Sequence, residues 1–420
     1  MTTEQPNTSP AARRRGLRAA IVCAVLAIGA LAAVLPAQAA TARPAAHPAG
    51  LSLPSSTGGY QVGEVAVHLV DRSRPDPWQP GRAHRELMAS VYYPTTRAAG
   101  HRAAPYMLPR AAAHFDAVTA GDYLGMNLPA GQADWAATAT HAVQGAPVAT
   151  GGARPVLVYS PGLGEPRTWG TTLVADLASR GYVVITVDHT WEAPEVQFPD
   201  GTLATMVTPT DPDAFIRTSL AVRTADTSFV LDELGRLNSG QNPDADGRRL
   251  PPGLAGALDL TRVGMFGHSL GGTAAATAME ADPRIDAGID MDGNLTHFDG
   301  SLMPVAEHGL TRPFLLLGKD GPTDTGPGWQ AFSARTPGWT RRLTLRGAEH
   351  ASFTDAEALL PQLGLPPATL AQDIGTIDPA TAIRTNEAYV AAYFDHWLRG
   401  RSDRLLRGPS DRYPEMEFVD

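Results

Sequence analysis

Arg262-Val-Gly-Met-Phe-Gly-His-Ser-Leu-Gly-Gly272 is the stretch on which the reading of the chain turns. A short apolar run ends in Gly267-His268-Ser269-Leu270-Gly271, and small residues at helical spacing follow from Thr273 to Met279. This is a G-x-S-x-G turn with a strand before it and a helix after it. So tight a turn leaves no room for Cβ atoms on both flanks, which accounts for Gly267 and Gly271. The bend pushes the Ser269 hydroxyl out of the backbone at a helix N-terminus. Free N–H groups and the helix dipole there favour developing negative charge.

Working outward, buried-strand runs alternate with helical patterns. Pro155–Ser160 and Tyr182–Val187 are apolar on both faces, as in a parallel sheet. Arg284–Asp292, Pro313–Leu317 and Arg341–Leu345 continue the series after the elbow. Helical patterns lie at Thr171–Arg180, Phe215–Leu237 and Thr385–Leu398. Val62–Val70 and Glu86–Tyr93 alternate with period two and predict an antiparallel start. The stretch from Thr95 to Arg154 has weak periodicity and reads as an excursion carrying a short helix or two. Asp244 and Asp246 lack EF-hand spacing and read as solvated loop. The pattern predicts an α/β fold: a doubly wound, mostly parallel sheet with flanking helices.

In such sheets sites form beyond the carboxyl ends of the strands. Pro161–Gly164, Ser269, Asp292, Asp320 and His350 all fall there. The chain order serine, aspartate, histidine is that of the α/β-hydrolase fold. Ser269 is the expected nucleophile and His350, after the last strand of the series, its expected base. His268 is too near Ser269 along the chain for that role. His189 ends another strand and is placed near the pocket. The acid that orients the imidazole is Asp292 or Asp320 on this reading. Asp290 lies two residues before Asp292, inside the sheet. An oxyanion hole needs two preorganised N–H groups. Leu270 supplies one and Leu163 the other, since Pro161 has no N–H and Gly162 and Gly164 permit close approach.

The chain has 420 residues, 43% of them hydrophobic, enough for one large α/β domain or two small ones. Its formal charge is −9 and no basic run follows the N-terminal segment, which argues against a nucleic-acid partner. Arg13-Arg14-Arg15 and Arg18 precede an apolar run from Ile21 to Leu35, then Pro36 and Ala37-Gln38-Ala39. The run is short for a membrane span, so residues 1–39 read as a signal peptide cleaved near Ala39-Ala40, exported by the Sec or Tat route. Cys23, the single cysteine, lies inside it. Residues 40–60 read as a Pro/Ala-rich linker, 61–400 as the catalytic domain and 401–420 as a C-terminal tail.

The chain resembles the platelet-activating-factor acetylhydrolase-like serine esterases, most of all their secreted actinobacterial relatives. The resemblance spans roughly Tyr92 to Leu398. It rests on Val156-Leu-Val-Tyr-Ser-Pro-Gly-Leu-Gly164, Asp176-Leu-Ala-Ser-Arg-Gly-Tyr182 and its continuation to His189, Gly267–Gly272, Gly288-Ile-Asp-Met-Asp292 and His350-Ala-Ser-Phe-Thr-Asp355. It implies Asp292 as the acid, Leu163 as an oxyanion donor, and no metal or cofactor. Pro161 stands where the animal enzymes carry histidine. The implied activity is a secreted carboxylesterase or lipase acting on short or oxidised acyl chains of phospholipids. Its expected partner is a small-molecule or lipid ester. Transient contact with a lipid surface would run through an apolar patch near Trp191 or Phe198. A cutinase or polyester hydrolase, a general short-chain carboxylesterase, and a non-catalytic binding protein on the same scaffold are the alternatives.

Overall fold

The computed structural model describes residues 50–122, 128–321 and 325–419. Residues 1–49, which hold the expected signal peptide, Cys23 and the first part of the expected linker, lie outside them.

Ten strands form one sheet in the order β12-β11-β10-β9-β8-β4-β5-β2-β1-β3. These are β1 (Gln61–Asp71), β2 (Arg85–Thr95), β3 (Ala142–Gln144), β4 (Arg154–Ser160), β5 (Val183–Asp188), β8 (Leu258–His268), β9 (Ala287–Met291), β10 (Phe314–Lys319), β11 (Thr340–Leu345) and β12 (Met416–Val419). Strands β6 (Glu195–Gln197) and β7 (Leu203–Thr205) make a separate small hairpin. The strands from β5 to β11 in this order run parallel, whereas β2 and β12 join antiparallel. This is the expected α/β-hydrolase architecture.

Every residue of β4 and β5 is buried, because helices cover both faces of the sheet. Alternate side chains serve opposite cores. Val156, Val158, Val183 and Ile185 pack with Leu220, Val230 and Leu234 of the helix Pro212–Asn238 and with Ala274–Ala276 of the helix Leu270–Ala281. Leu157, Tyr159 and Val184 pack with Leu173–Ala178 of the helix Thr171–Ser179 and with Tyr389–Leu398 of the helix Pro379–Arg399.

Three expectations need correction. The expected C-terminal tail is part of the fold, since β12 extends the sheet beside β11. The end of the expected linker is also anchored. Leu51 and Leu53 are buried with Tyr106, Trp135 and Trp169, and the Thr57 N–H donates to Asp176 at 2.7 Å. Finally, Phe198 is buried in a cluster with Met88 and Val196, and Trp191 packs partly buried against it. Those two residues therefore offer no apolar patch to a lipid surface.

Asp244 is likewise more than solvated loop. It is buried, accepts from the His68 N–H at 3.1 Å and pairs with Arg248.

Candidate active site

The turn after β8 has the geometry its glycines predict. A Cβ on Gly271 would lie 1.9 Å from the Ser160 carbonyl oxygen, and one on Gly267 would lie 2.3 Å from the Gly271 carbonyl carbon. Only glycine lets the elbow rest on the end of β4. Ser269 sits at φ 53°, ψ −124°, a conformation that costs a non-glycine residue roughly 1–3 kcal/mol. Its N–H donates to the Met291 carbonyl, and its carbonyl accepts from Gly272 and Thr273. Backbone bonds on both sides thus hold the strained serine in place.

The loop after β9 carries Asp292, itself at φ 59°. Its N–H donates to the Leu317 carbonyl and its Oδ1 accepts from the Lys319 N–H at 3.1 Å. Oδ2 lies 2.5 Å from Nδ1 of His350, so the fold brings these two together. The imidazole is left with Nε2 for another partner. Asp320 lies elsewhere. Its Oδ2 accepts from the Gly347 N–H at 2.8 Å and shapes the turn that leads to His350. Asp290 is buried within β9, where its Oδ1 accepts from the Gly293 N–H at 2.7 Å. Burial raises its carboxyl well above the usual range.

His350 opens a short 3-10 turn, His350–Phe353, capped reciprocally by Glu349 and Ser352. The only lysine of the chain, Lys319, pairs with Glu349 and so ties the end of β10 to the segment that carries His350. Asp355 closes the same segment. Its buried carboxylate accepts from the Thr171 and Thr172 N–H groups and from Tyr106, which caps the helix Thr171–Ser179. Two residues on, burial pushes the Glu357 carboxyl up to about 8. Its folded value exceeds its unfolded one. Its contribution to stability is therefore complete at acid pH, below the unfolded value, and is lost as pH rises through about 8. Thermal melts from about pH 6 to about pH 9 should show Tm falling more steeply for the native protein than for Glu357→Gln, which has no proton to lose.

The loop Pro161–Gly164 follows β4 directly. Leu163 is half-buried, and among the described residues neither its N–H nor that of Leu270 has an acceptor. The loop is gripped from below by Arg223, a fully buried residue of the helix Pro212–Asn238. The guanidinium pairs with Glu192 at 2.8 Å and donates to the Pro161 and Gly162 carbonyls at 2.5 and 3.3 Å. With both carbonyls turned down into the protein, the following N–H groups face the other way.

Beneath the loop lies a buried serine–histidine–aspartate array. Ser160 Oγ is 3.0 Å from His189 Nε2, and His189 Nδ1 is 2.9 Å from Asp226. All three are buried, and Arg85 and Arg74 also hold Asp226. Burial lowers the His189 pKa, so the ring is neutral and accepts from Ser160. His189 therefore supports the loop from within instead of lining the pocket. The sequence reading missed Arg223 and this array. The available signal was an arginine at helical spacing from Leu220, Thr227 and Val230, on a face that is otherwise buried.

Comparison with known proteins agrees with this architecture. Residues 46–198 match the family described as platelet-activating factor acetylhydrolase, isoform II. A probable 1-alkyl-2-acetylglycerophosphocholine esterase of Arthroderma benhamiae is 28% identical, over 89% of this chain and 95% of its own. The platelet-activating factor acetylhydrolase of Canis lupus familiaris is 23% identical over half of each chain. Among solved structures, a ferulic acid esterase from Streptomyces cinnamoneus superimposes with a TM-score of 0.71 at 35% identity, covering 89% of this chain and 100% of that one. Fold and relatives together define an ester hydrolase built on the α/β-hydrolase scaffold. Within that class the chain is similar to the platelet-activating-factor acetylhydrolase-like esterases.

Proposed function

We propose that this chain is a secreted serine carboxylesterase that hydrolyses short or oxidised acyl esters of phospholipids through an acyl-enzyme. The observation that supports the mechanism is the His350–Asp292 pair, found in the same fold as the strained Ser269 elbow and two N–H groups that have no acceptor among the described residues. Ser269 Oγ attacks the ester carbonyl while His350 Nε2 takes its proton. Asp292, on the other ring nitrogen, stabilises the imidazolium that forms. The Leu163 and Leu270 N–H groups receive the oxyanion. Collapse of the tetrahedral intermediate breaks the ester C–O bond, and His350 returns its proton to the leaving alcohol. Water, deprotonated by His350, then attacks the acyl-enzyme and frees the acid and Ser269.

The phospholipid substrate is supported by the Arthroderma benhamiae relative, which aligns over nearly its full length. The higher identity to a ferulic acid esterase favours a second reading, in which the acyl group is aromatic. Parallel kcat/KM measurements on a 2-acetyl phosphatidylcholine analogue and on methyl ferulate decide between them. The phospholipid reading requires the first substrate to win by at least about tenfold, a difference of about 1.4 kcal/mol in transition-state binding. Preference for the ferulate ester overturns it. Export is tested by expressing the full chain in a secreting host. A mature protein that begins at Ala40 supports removal of residues 1–39, and retention of the N-terminus refutes it.

A further inference from the structure

We infer that Glu165 and His268 form a positioning pair that holds the oxyanion loop, the serine elbow and the base loop in register. The inference rests on the reading of Ser269 and His350 as the reacting residues. Three hydrogen bonds run in series. The Gly162 N–H donates to Glu165 Oε2 at 2.6 Å, Glu165 Oε1 lies 2.8 Å from His268 Nδ1, and His268 Nε2 lies 2.8 Å from the His350 carbonyl oxygen. The first bond lies within the loop after β4, and the other two each join a different pair of segments. Gly162 and Glu165 belong to the loop after β4, His268 ends β8 beside Ser269, and His350 follows β11. The imidazoles of His268 and His350 also pack together, with ring centroids 4.4 Å apart.

Neither member of the pair reaches the reacting atoms. Glu165 is 3% exposed and His268 is 1% exposed. Their action is therefore through Leu163, one residue from Gly162, and through His350. The fit is close, since a Cβ on Gly162 would lie 2.7 Å from the Glu165 carboxyl carbon.

The hydrogen-bond geometry also counts the protons. The His350 carbonyl has no hydrogen to give, so His268 Nε2 carries one and donates it. A second proton must lie between His268 Nδ1 and Glu165 Oε1, because two lone pairs cannot face each other at 2.8 Å. The local charges place it on the imidazole. Burial alone would lower the His268 pKa, but the Glu165 carboxylate, together with Asp292 and the His350 carbonyl, outweighs it and raises it. Burial alone would raise Glu165, and His268 and the Gly162 N–H hold it below its usual value. The pair is thus a buried imidazolium and carboxylate. An ion pair of this kind becomes costly when one partner is removed. Its geometry permits one conservative replacement. In Glu165→Gln the amide oxygen still accepts from Gly162 and the amide N–H faces Nδ1 of a neutral His268.

The test is steady-state kinetics on a soluble short-chain ester with folded Glu165→Ala, His268→Ala, Glu165→Gln and Ser269→Ala proteins. Glu165→Ala and His268→Ala should lower kcat on the order of 10²-fold, as a displacement of about 1 Å at a reacting group does, with KM within about threefold. Glu165→Gln should recover most of that loss. Wild-type kcat in folded Glu165→Ala, or a glutamine variant no better than the alanine one, overturns the inference. Retained turnover in Ser269→Ala instead overturns the underlying reading. Should the alanine variants fail to fold, nitrogen-15 NMR of the histidine rings answers on the native protein. One histidine should keep both ring nitrogens protonated well above the pH at which free imidazole loses its charge, and Glu165→Gln should abolish that signal. A spectrum with no such histidine overturns the inference.

Discussion

Ser269→Ala should remain folded and lose ester turnover by about 10⁵-fold or more in kcat, the scale on which removal of an activated serine acts elsewhere. Nothing in the fold depends on the hydroxyl. The elbow is held through the backbone of Ser269, whose N–H and carbonyl are both engaged, and by the glycines that pack on β4. Alanine at φ 53° carries much the same strain as serine, so the melting temperature should move little. What disappears is the atom that forms the acyl-enzyme in the proposed mechanism. Circular dichroism beside kinetics on a chromogenic acetate checks both halves. Turnover within about tenfold of the native protein would remove Ser269 from the mechanism.

The second large effect separates the two acids. Asp292→Asn should lower kcat by on the order of 10⁴-fold, because an amide cannot stabilise the imidazolium of His350 and favours the wrong tautomer of its ring. Asp320→Asn should cost less than about tenfold, since its task is to accept the Gly347 N–H, and an amide oxygen does that too. Both variants are measured in the same assay. A larger loss at Asp320 than at Asp292 would transfer the role of the acid.

These two aspartates also mark where the sequence stops being informative. Each follows a parallel strand, and each lies at the carboxyl edge where sites of this fold form. Which one meets His350 depends on how neighbouring loops lean, and no local pattern encodes that. The Ser269 elbow was legible because its chemistry is local. Glycine, serine and glycine at fixed spacing between a strand and a helix leave one backbone solution. The central strands were legible for a similar reason, since burial on both faces writes a continuous apolar run. The edges were not. β12 is four residues long and has two exposed positions, so it carries too little pattern to be distinguished from a tail. Leu51 and Leu53 stand in a Pro- and Ser-rich stretch whose composition reads as linker, yet both fill the core beneath Trp169.

The supports of the site were the least visible. Glu165 reaches His268 across 103 positions, and Arg223 reaches Pro161 across 62. In sequence neither charge belongs to a motif that would mark it. Burial turns them into anchors, because an ionised group withdrawn from water must have partners, and here those partners include the loop after β4 and the end of β8 beside Ser269. The loop Pro161–Gly164 is thus held at its carbonyls by Arg223 and at the Gly162 amide by Glu165.

The account's central claim is that this fold activates Ser269. The most direct measurement is labelling of the intact protein with a fluorophosphonate, with the modified residue located by mass spectrometry. The account predicts one label, on Ser269, and its loss in His350→Ala. A folded protein that takes no label, or takes it on a residue other than Ser269, would contradict it.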